Sequence, residues 1–193
     1  MRSLLAAVLL TLGIVSAREA LAQAQTVSKP LECESKLDSS LIPVLRKDFP
    51  SLHVPHLGEL DPDTIESDRT EGGDGCYVVA TGDFTGEGRQ SVAMILAAAD
   101  RPEGQLVVAI ETKAGWRLDK LRTFCGDVRS CYVKAQPPGT HVRTEALDGP
   151  LQTDDEVSEM STTAHVVLSG KLESTGVVFA YSNRGWNHVW VSD

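Results

Sequence analysis

The chain has 193 residues, a net charge of -9 at neutral pH, and aromatic residues at only 5% of its positions. This acidic surplus excludes nucleic acid as the main partner, because the phosphate backbone would be repelled. The length is sufficient for one domain with its own apolar core.

The first residues have the form of an export signal. Arg2 precedes an apolar stretch from Leu4 to Val15, and alanines follow as far as Ala24. The apolar stretch is too short to cross a bilayer as a helix. We therefore expect cleavage after Ala17, Ala22 or Ala24, with the last two favoured, and we take residues 1–24 as the signal of an exported protein that is periplasmic or extracellular and not membrane-bound. Two arginines and one glutamate leave with the signal, so the remaining 169 residues carry a net charge of -10.

All four cysteines lie after the signal, and an even number in an exported chain indicates two disulfides. Four cysteines allow three pairings. We favour Cys125 with Cys131, because they enclose a short polar loop, and this leaves Cys33 with Cys76. A zinc site is not expected, because the Cys-x-x-Cys spacing typical of such sites is absent.

Residues 25–75 are predicted to form a helix followed by an acidic connection. Apolar residues from Leu37 to Leu45 recur at helical spacing. The helix should cover residues 39–48 and end there, because Pro50 disfavours helical geometry in the residue before it. One further helical turn is expected at residues 62–66.

Residues 76–193 are predicted to form an antiparallel β domain that makes one globular unit with residues 25–75. Short apolar runs alternate there with Gly, Pro, Asp and Asn. The expected fold is α+β, with the N-terminal helix packed on one mainly antiparallel meander of about six or seven strands. A mobile acidic insertion is expected at residues 145–161. Strands are predicted near residues 76–82, 90–98, 104–112, 115–121, 164–169, 176–182 and 186–191.

The segment Gly82-Asp83-Phe84-Thr85-Gly86-Glu87-Gly88 is the most specific motif of the chain. In one interpretation its glycines adopt left-handed turn geometry and Asp83 accepts backbone N–H groups. In the other it binds calcium through the first, third, fifth and ninth side chains and the seventh carbonyl. Those positions are Asp83, Thr85, Glu87, Ser91 and Arg89. We favour the first interpretation, because only two of the side chains are carboxylates and Arg89 places a cation beside the ion.

Trp186, His188 and Trp190 alternate along the last predicted strand and therefore share one face. Such a strip could bind a sugar ring or a peptide. Large aromatic side chains near a chain end also commonly close a core. We favour core packing, because the chain has few other large residues to bury.

The Gly82–Gly88 segment resembles the Gly-Asp-Phe-x-Gly-x-Gly hairpin of FG-GAP and related calcium-loop repeats. Together with the helix ending in Asp48-Phe49-Pro50 and the pieces Leu106–Ala109, Gly115-Trp116 and Val189–Asp193, it resembles a group of small exported bacterial proteins without an assigned activity. The resemblance implies a strand, a carboxylate-bearing loop and a second strand, with calcium as the ion. FG-GAP propellers use tandem copies, whereas this chain has one, so their ligand-binding role is not implied.

The sequence contains none of the common catalytic motifs, such as Gly-x-Ser-x-Gly or His-Glu-x-x-His. We therefore expect a non-enzymatic binding or inhibitor-like module whose partner is another exported protein, with calcium at the Asp83 loop as the one cofactor considered. The alternative is an enzyme whose site forms only in three dimensions, from Asp83, Glu87 and a distant histidine around such an ion.

Overall fold

The computed structural model describes residues 33–191 apart from residues 101, 125, 148, 173 and 175. The predicted export signal therefore lies outside the described residues. The described chain is mainly β, with two short helices, α1 (Leu41–Asp48) and α2 (Pro62–Thr70). Neither helix is long and apolar enough to cross a membrane. The strands are β1 (Leu52–His53), β2 (Val79–Gly82), β3 (Ser91–Ala98), β4 (Gly104–Thr112), β5 (Gly115–Phe124), β6 (Cys131–Gln136), β7 (Thr140–Val142), β8 (Glu159–Ser161), β9 (Val166–Lys171), β10 (Gly176–Ser182) and β11 (Gly185–Val191).

The strands form three antiparallel sheets rather than one meander. The first has the order β1-β3-β4-β5, and β2 pairs with β3 beside β1. The second has the order β11-β10-β9-β6, and the third contains β7 and β8. The prediction of a single sheet of six or seven strands is therefore wrong, although the antiparallel α+β class is confirmed. The chain leaves the first sheet after β5 and starts the second at β6, a strand that the sequence analysis did not predict.

Helix α1 packs on the core through Leu41 and Leu45, which are buried one turn apart. It ends at Asp48, as predicted from the following Phe49-Pro50. Helix α2 is longer than the single turn expected there, and Asp61 caps its start by accepting the N–H groups of Asp63 and Thr64. The described chain therefore has two short helices, of which α1 packs on the core, and the prediction that this helix covers one face of the sheet stays a prediction.

The middle of the first sheet is covered on both faces. All of β3 is buried, and β4 is buried from Leu106 to Ile110. Such continuous burial needs layers on two sides and agrees with the apolar runs in the sequence. The two main sheets meet through Tyr77 and Val78: the Tyr77 carbonyl accepts from Val133 N–H of β6 at 2.8 Å, and the Val78 carbonyl from Ile95 N–H of β3 at 2.9 Å.

The predicted disulfide between Cys33 and Cys76 is confirmed, with the two Cα atoms 5.4 Å apart. This disulfide links the start of the described chain to the segment in which Tyr77 and Val78 join the two main sheets. The predicted partner of Cys131, Cys125, lies outside the described residues, so that pairing stays a prediction. Cys131 itself is fully buried, and its burial raises the pKa of the thiol to about 11.

Candidate functional site

The Asp83 loop joins β2 to β3 and is organised by the Asp83 carboxylate. Its Oδ1 accepts the Gly86 N–H at 2.8 Å and its Oδ2 accepts the Gly88 N–H at 2.7 Å. Gly86 and Gly88 have φ angles of +72° and +71°, the left-handed region that glycine adopts without strain. The turn-bonding geometry expected from the sequence is therefore present.

The electrostatics of the Asp83 carboxyl follow from these bonds. Partial desolvation acts to raise its pKa, but the Gly88 and Gly86 N–H groups outweigh this effect, and the pKa lies below its ordinary value. The carboxylate is thus held in its ionised form by the loop backbone itself.

The other side chains of the proposed calcium set do not converge on one point, because each has its own contacts or burial. Thr85 contacts Asp83 through its hydroxyl at 3.3 Å, whereas the exposed Glu87 carboxylate pairs with Arg89 at 3.3 Å. Ser91 is the first residue of β3 and is fully buried. Within the described part of the chain, no group of three or more His, Cys, Asp or Glu side chains is arranged to hold a metal ion.

The residues of the aromatic strip, Trp186, His188 and Trp190, are partly buried, while Val189 among them is fully buried. Both tryptophans pack against the core. The His188 ring lies 5.6 Å from the ring of Phe179 and 6.5 Å from that of Trp190. Such packing is what the favoured interpretation expects, and a binding role of the strip stays a prediction.

The strip also joins β11 to β5, the last strand of the other sheet. Trp186 Nε1 donates to Asp119 Oδ2 at 2.9 Å. The Arg122 guanidinium lies 4.9 Å from the centre of the Trp190 ring, which is a cation–π distance. The two main sheets therefore meet along a second line, which is made of side chains.

A bulge in β5 makes this second line possible. Leu106 pairs with Arg122 and Val107 pairs with Lys120, so that Leu121 is an extra residue opposite β4. One extra residue reverses the alternation of the faces. Residues three positions apart in a regular strand lie on opposite faces. Because of the bulge, Asp119 and Arg122 lie on the same face, and both contact β11.

The most elaborate polar arrangement lies in the acidic segment after β7, where Arg143 and Glu156 form an ion pair. Arg143 Nε is 3.2 Å from Glu156 Oε1, and their side chains are only 15% and 1% exposed. Arg143 Nη1 also donates to the carbonyls of Leu147 at 2.6 Å and Gly149 at 3.3 Å. Glu156 Oε2 accepts the Gln152 N–H at 2.7 Å. That N–H bond and then Arg143 lower the pKa of the Glu156 carboxyl.

The same segment is attached to the outer edge of β11. His188 N–H donates to the Asp155 carbonyl at 2.8 Å, and Val157 N–H donates to the His188 carbonyl at 2.9 Å. The His188 ring also pairs with the Asp155 carboxylate at 3.2 Å. Backbone and ionic contacts therefore attach the second half of the predicted mobile insertion, residues 145–161, to the sheet.

Between these attachments, residues 149–155 are exposed without interruption, and we call them the anchored loop. Their sequence is Gly-Pro-Leu-Gln-Thr-Asp-Asp. Leu151 is 46% exposed, and in the described chain only Val142 and Leu172 are other large apolar residues presented in this way. An apolar side chain is thus held out to solvent by a loop whose supports are buried.

A groove lies between the end of α1 and the first sheet. This groove has a volume of about 320 Å³, and Phe49, Leu52, Gln105 and Lys120 are among its lining residues. The Gln105 Oε1 atom is enclosed and receives no hydrogen bond from the described residues. The groove is of a size that accepts small molecules.

The Arg143 and Glu156 pair was missed by the sequence analysis. One signal for it exists: Arg143 is the last basic residue before a stretch with six acidic residues and no Lys or Arg up to Ser161. The Gln105 groove has no comparable signal, because its walls come from separate elements.

Comparisons with protein-family models, with curated proteins and with solved structures find no match to this chain. The resemblance to FG-GAP loops therefore depends on the residues of the Gly82–Gly88 segment alone. Any function has to be inferred from the geometry.

Proposed function

We propose that the chain is an exported, non-enzymatic binding or inhibitor-like module that acts on another protein in the periplasm or outside the cell. The anchored loop is its binding element. The observation that carries this proposal is the pairing of a continuously exposed segment with a buried ion pair that bonds to its backbone from beneath.

The physical support is preorganisation. A loop that is already fixed loses little conformational entropy when a partner binds, so more of the contact energy remains as affinity. Arg143 and Glu156 supply this restraint on the two sides of Leu151, through the Gly149 carbonyl and the Gln152 N–H. The Cys33–Cys76 disulfide supports export, because such bonds persist in oxidising compartments.

The Asp83 site offers less support for the alternative of an enzyme. Both oxygens of Asp83 accept loop N–H groups, and Glu87 pairs with Arg89 instead of facing Asp83. His165 does lie beside this loop, since its N–H donates to the Asp83 carbonyl at 3.1 Å, but this contact is made by its backbone.

The test is a comparative pull-down from exported material with two baits, the mature protein and a variant whose residues 150–154 are replaced by Gly and Ser. We expect a protein that the first bait retains and the second does not. Equal retention by both baits would contradict the assignment of the loop, and retention of nothing by either would contradict the binding function.

A further inference from the structure

We propose that the anchored loop enters the active-site cleft of an endopeptidase in the manner of a substrate, with Leu151 in the primary specificity pocket and the Leu151–Gln152 peptide bond at the catalytic centre. This inference rests on the proposed function and names the class of its partner.

The first argument is the shape of the presented segment. An endopeptidase reads several consecutive residues of an accessible chain. Residues 149–155 are exposed without a break, and Leu151 projects with 46% of its surface free. An apolar side chain in that position matches a pocket selective for large aliphatic or aromatic residues.

The second argument is the placement of the supports around one peptide bond. On the N-terminal side, Arg143 Nη1 holds the Leu147 and Gly149 carbonyls. On the C-terminal side, Glu156 Oε2 holds the N–H of Gln152, whose nitrogen belongs to the bond after Leu151. Arg143 and Glu156 are themselves paired, so both sides of this bond are tied to one buried unit.

This placement predicts slow release after cleavage. Hydrolysis of the Leu151–Gln152 bond adds one water and leaves a carboxylate on Leu151 and an amine on Gln152. The new amine would become cationic and bond more strongly to the Glu156 carboxylate. It would therefore remain beside the new carboxylate, where the bond can be remade, and the loop would block the cleft instead of leaving it.

The third argument is the restriction of the backbone before Leu151. Pro150 fixes its own φ angle and has no N–H, while Gly149 has a φ of +106° that other residues adopt only with strain. Pro150 reduces the number of conformations that binding must exclude, and Gly149 allows the chain to turn before it without strain.

The experiment measures inhibition by the mature protein of three serine endopeptidases, one of subtilisin type, one of chymotrypsin type and one of trypsin type. Residual hydrolysis of a chromogenic peptide gives the inhibition constant. We expect inhibition of at least one of the two enzymes that accept large apolar residues. Leu151→Asp should weaken it by about 100-fold or more, whereas Leu172→Asp, at another exposed leucine, should change it by less than about threefold. Leu151→Lys should transfer inhibition to the trypsin-type enzyme.

A second variant tests the supports. Glu156→Gln should turn the inhibitor into a substrate, which mass spectrometry would detect as two fragments divided after Leu151. Circular dichroism of each variant establishes that it is folded. The inference is overturned if none of the three enzymes is inhibited by the wild type, if Leu151→Asp inhibits as well as the wild type, or if the wild type is cut rapidly and released. A pull-down partner that depends on the loop but is not an endopeptidase would overturn the inference and leave the proposed function in place.

Discussion

Replacing Asp83 by alanine separates the two interpretations of its loop. The substitution removes the acceptor of the Gly86 and Gly88 N–H groups, bonds of 2.8 and 2.7 Å. Bonds to a charged acceptor contribute about 1.5 to 3 kcal/mol each where water is excluded. Both glycines are exposed here, so water can replace the carboxylate and the total loss should be about 1 to 3 kcal/mol. For a domain of this size, a loss of about 2 kcal/mol lowers the Tm by about 4 to 8 °C.

The assay is thermal unfolding of the wild type, Asp83→Ala and Glu87→Ala, each with calcium and with a chelator. If the carboxylate only accepts the N–H groups of the turn, Asp83→Ala lowers the free energy of unfolding by the same amount with calcium and with the chelator. The matched control Glu87→Ala should change the unfolding free energy by less than about 0.5 kcal/mol, because the Glu87 and Arg89 pair is exposed. The reasoning is refuted if calcium raises the wild-type Tm by several degrees and Asp83→Ala abolishes that rise, since a bound ion stabilises by an amount that grows with the ratio of free ion to its dissociation constant.

The same pair of proteins gives a dependence on pH. The pKa of Asp83 in the folded chain lies below its ordinary value of 3.8. The contribution of Asp83 to the free energy of unfolding is therefore complete above that ordinary pKa. It is lost as the pH falls through the lower pKa of the folded chain. The difference in stability between wild type and Asp83→Ala should shrink on acidification below about pH 4. A constant difference down to pH 2 would show that the charge is not what holds the loop.

Three further predictions concern the rest of the fold. Trp186→Phe removes the donor to Asp119 and should destabilise by about 1 kcal/mol in urea denaturation, and an unchanged midpoint would contradict the role of that bond. Replacing both Cys33 and Cys76 by serine opens a cross-link over 43 residues and should lower the unfolding free energy by about 2 to 4 kcal/mol in urea denaturation without a reductant, and an unchanged midpoint would contradict the stabilising role of the bond. Glu156→Gln should speed hydrogen exchange of the N–H groups between residues 149 and 157 without affecting β3, and equal rates in both proteins would show that the ion pair does not restrain the loop.

Local signals in the sequence were sufficient for the elements that depend on neighbouring residues. Pro50 ends α1, and the apolar runs of β3 and β4 carry the information that both faces are covered. The Asp83 turn was also predictable, since Gly86 and Gly88 and the carboxylate lie within one short segment. In each case the residues whose interaction determines the local structure lie only a few positions apart in the sequence.

The division into two sheets depends on contacts between distant residues and was not predictable in the same way. Val133 of β6 pairs with Tyr77, and β6 itself is short and carries polar residues that hide its pattern. The bulge at Leu121 reverses the face on which Arg122 lies, so alternation counted from the start of β5 gives the wrong side. The Arg143 and Glu156 pair likewise forms only because β7 and β11 bring the two together.

The outer edge of β11 has a consequence for behaviour in concentrated solution. The N–H and C=O groups of His188 are bonded to Asp155 and Val157, and the Trp190 carbonyl accepts the Thr144 N–H at 2.9 Å. A strand edge left open can pair with the same edge of another molecule and start aggregation. The acidic segment therefore covers part of that edge with backbone and surrounds it with negative charge, and both features oppose such pairing. Variants that loosen the loop should be expected to aggregate before they unfold.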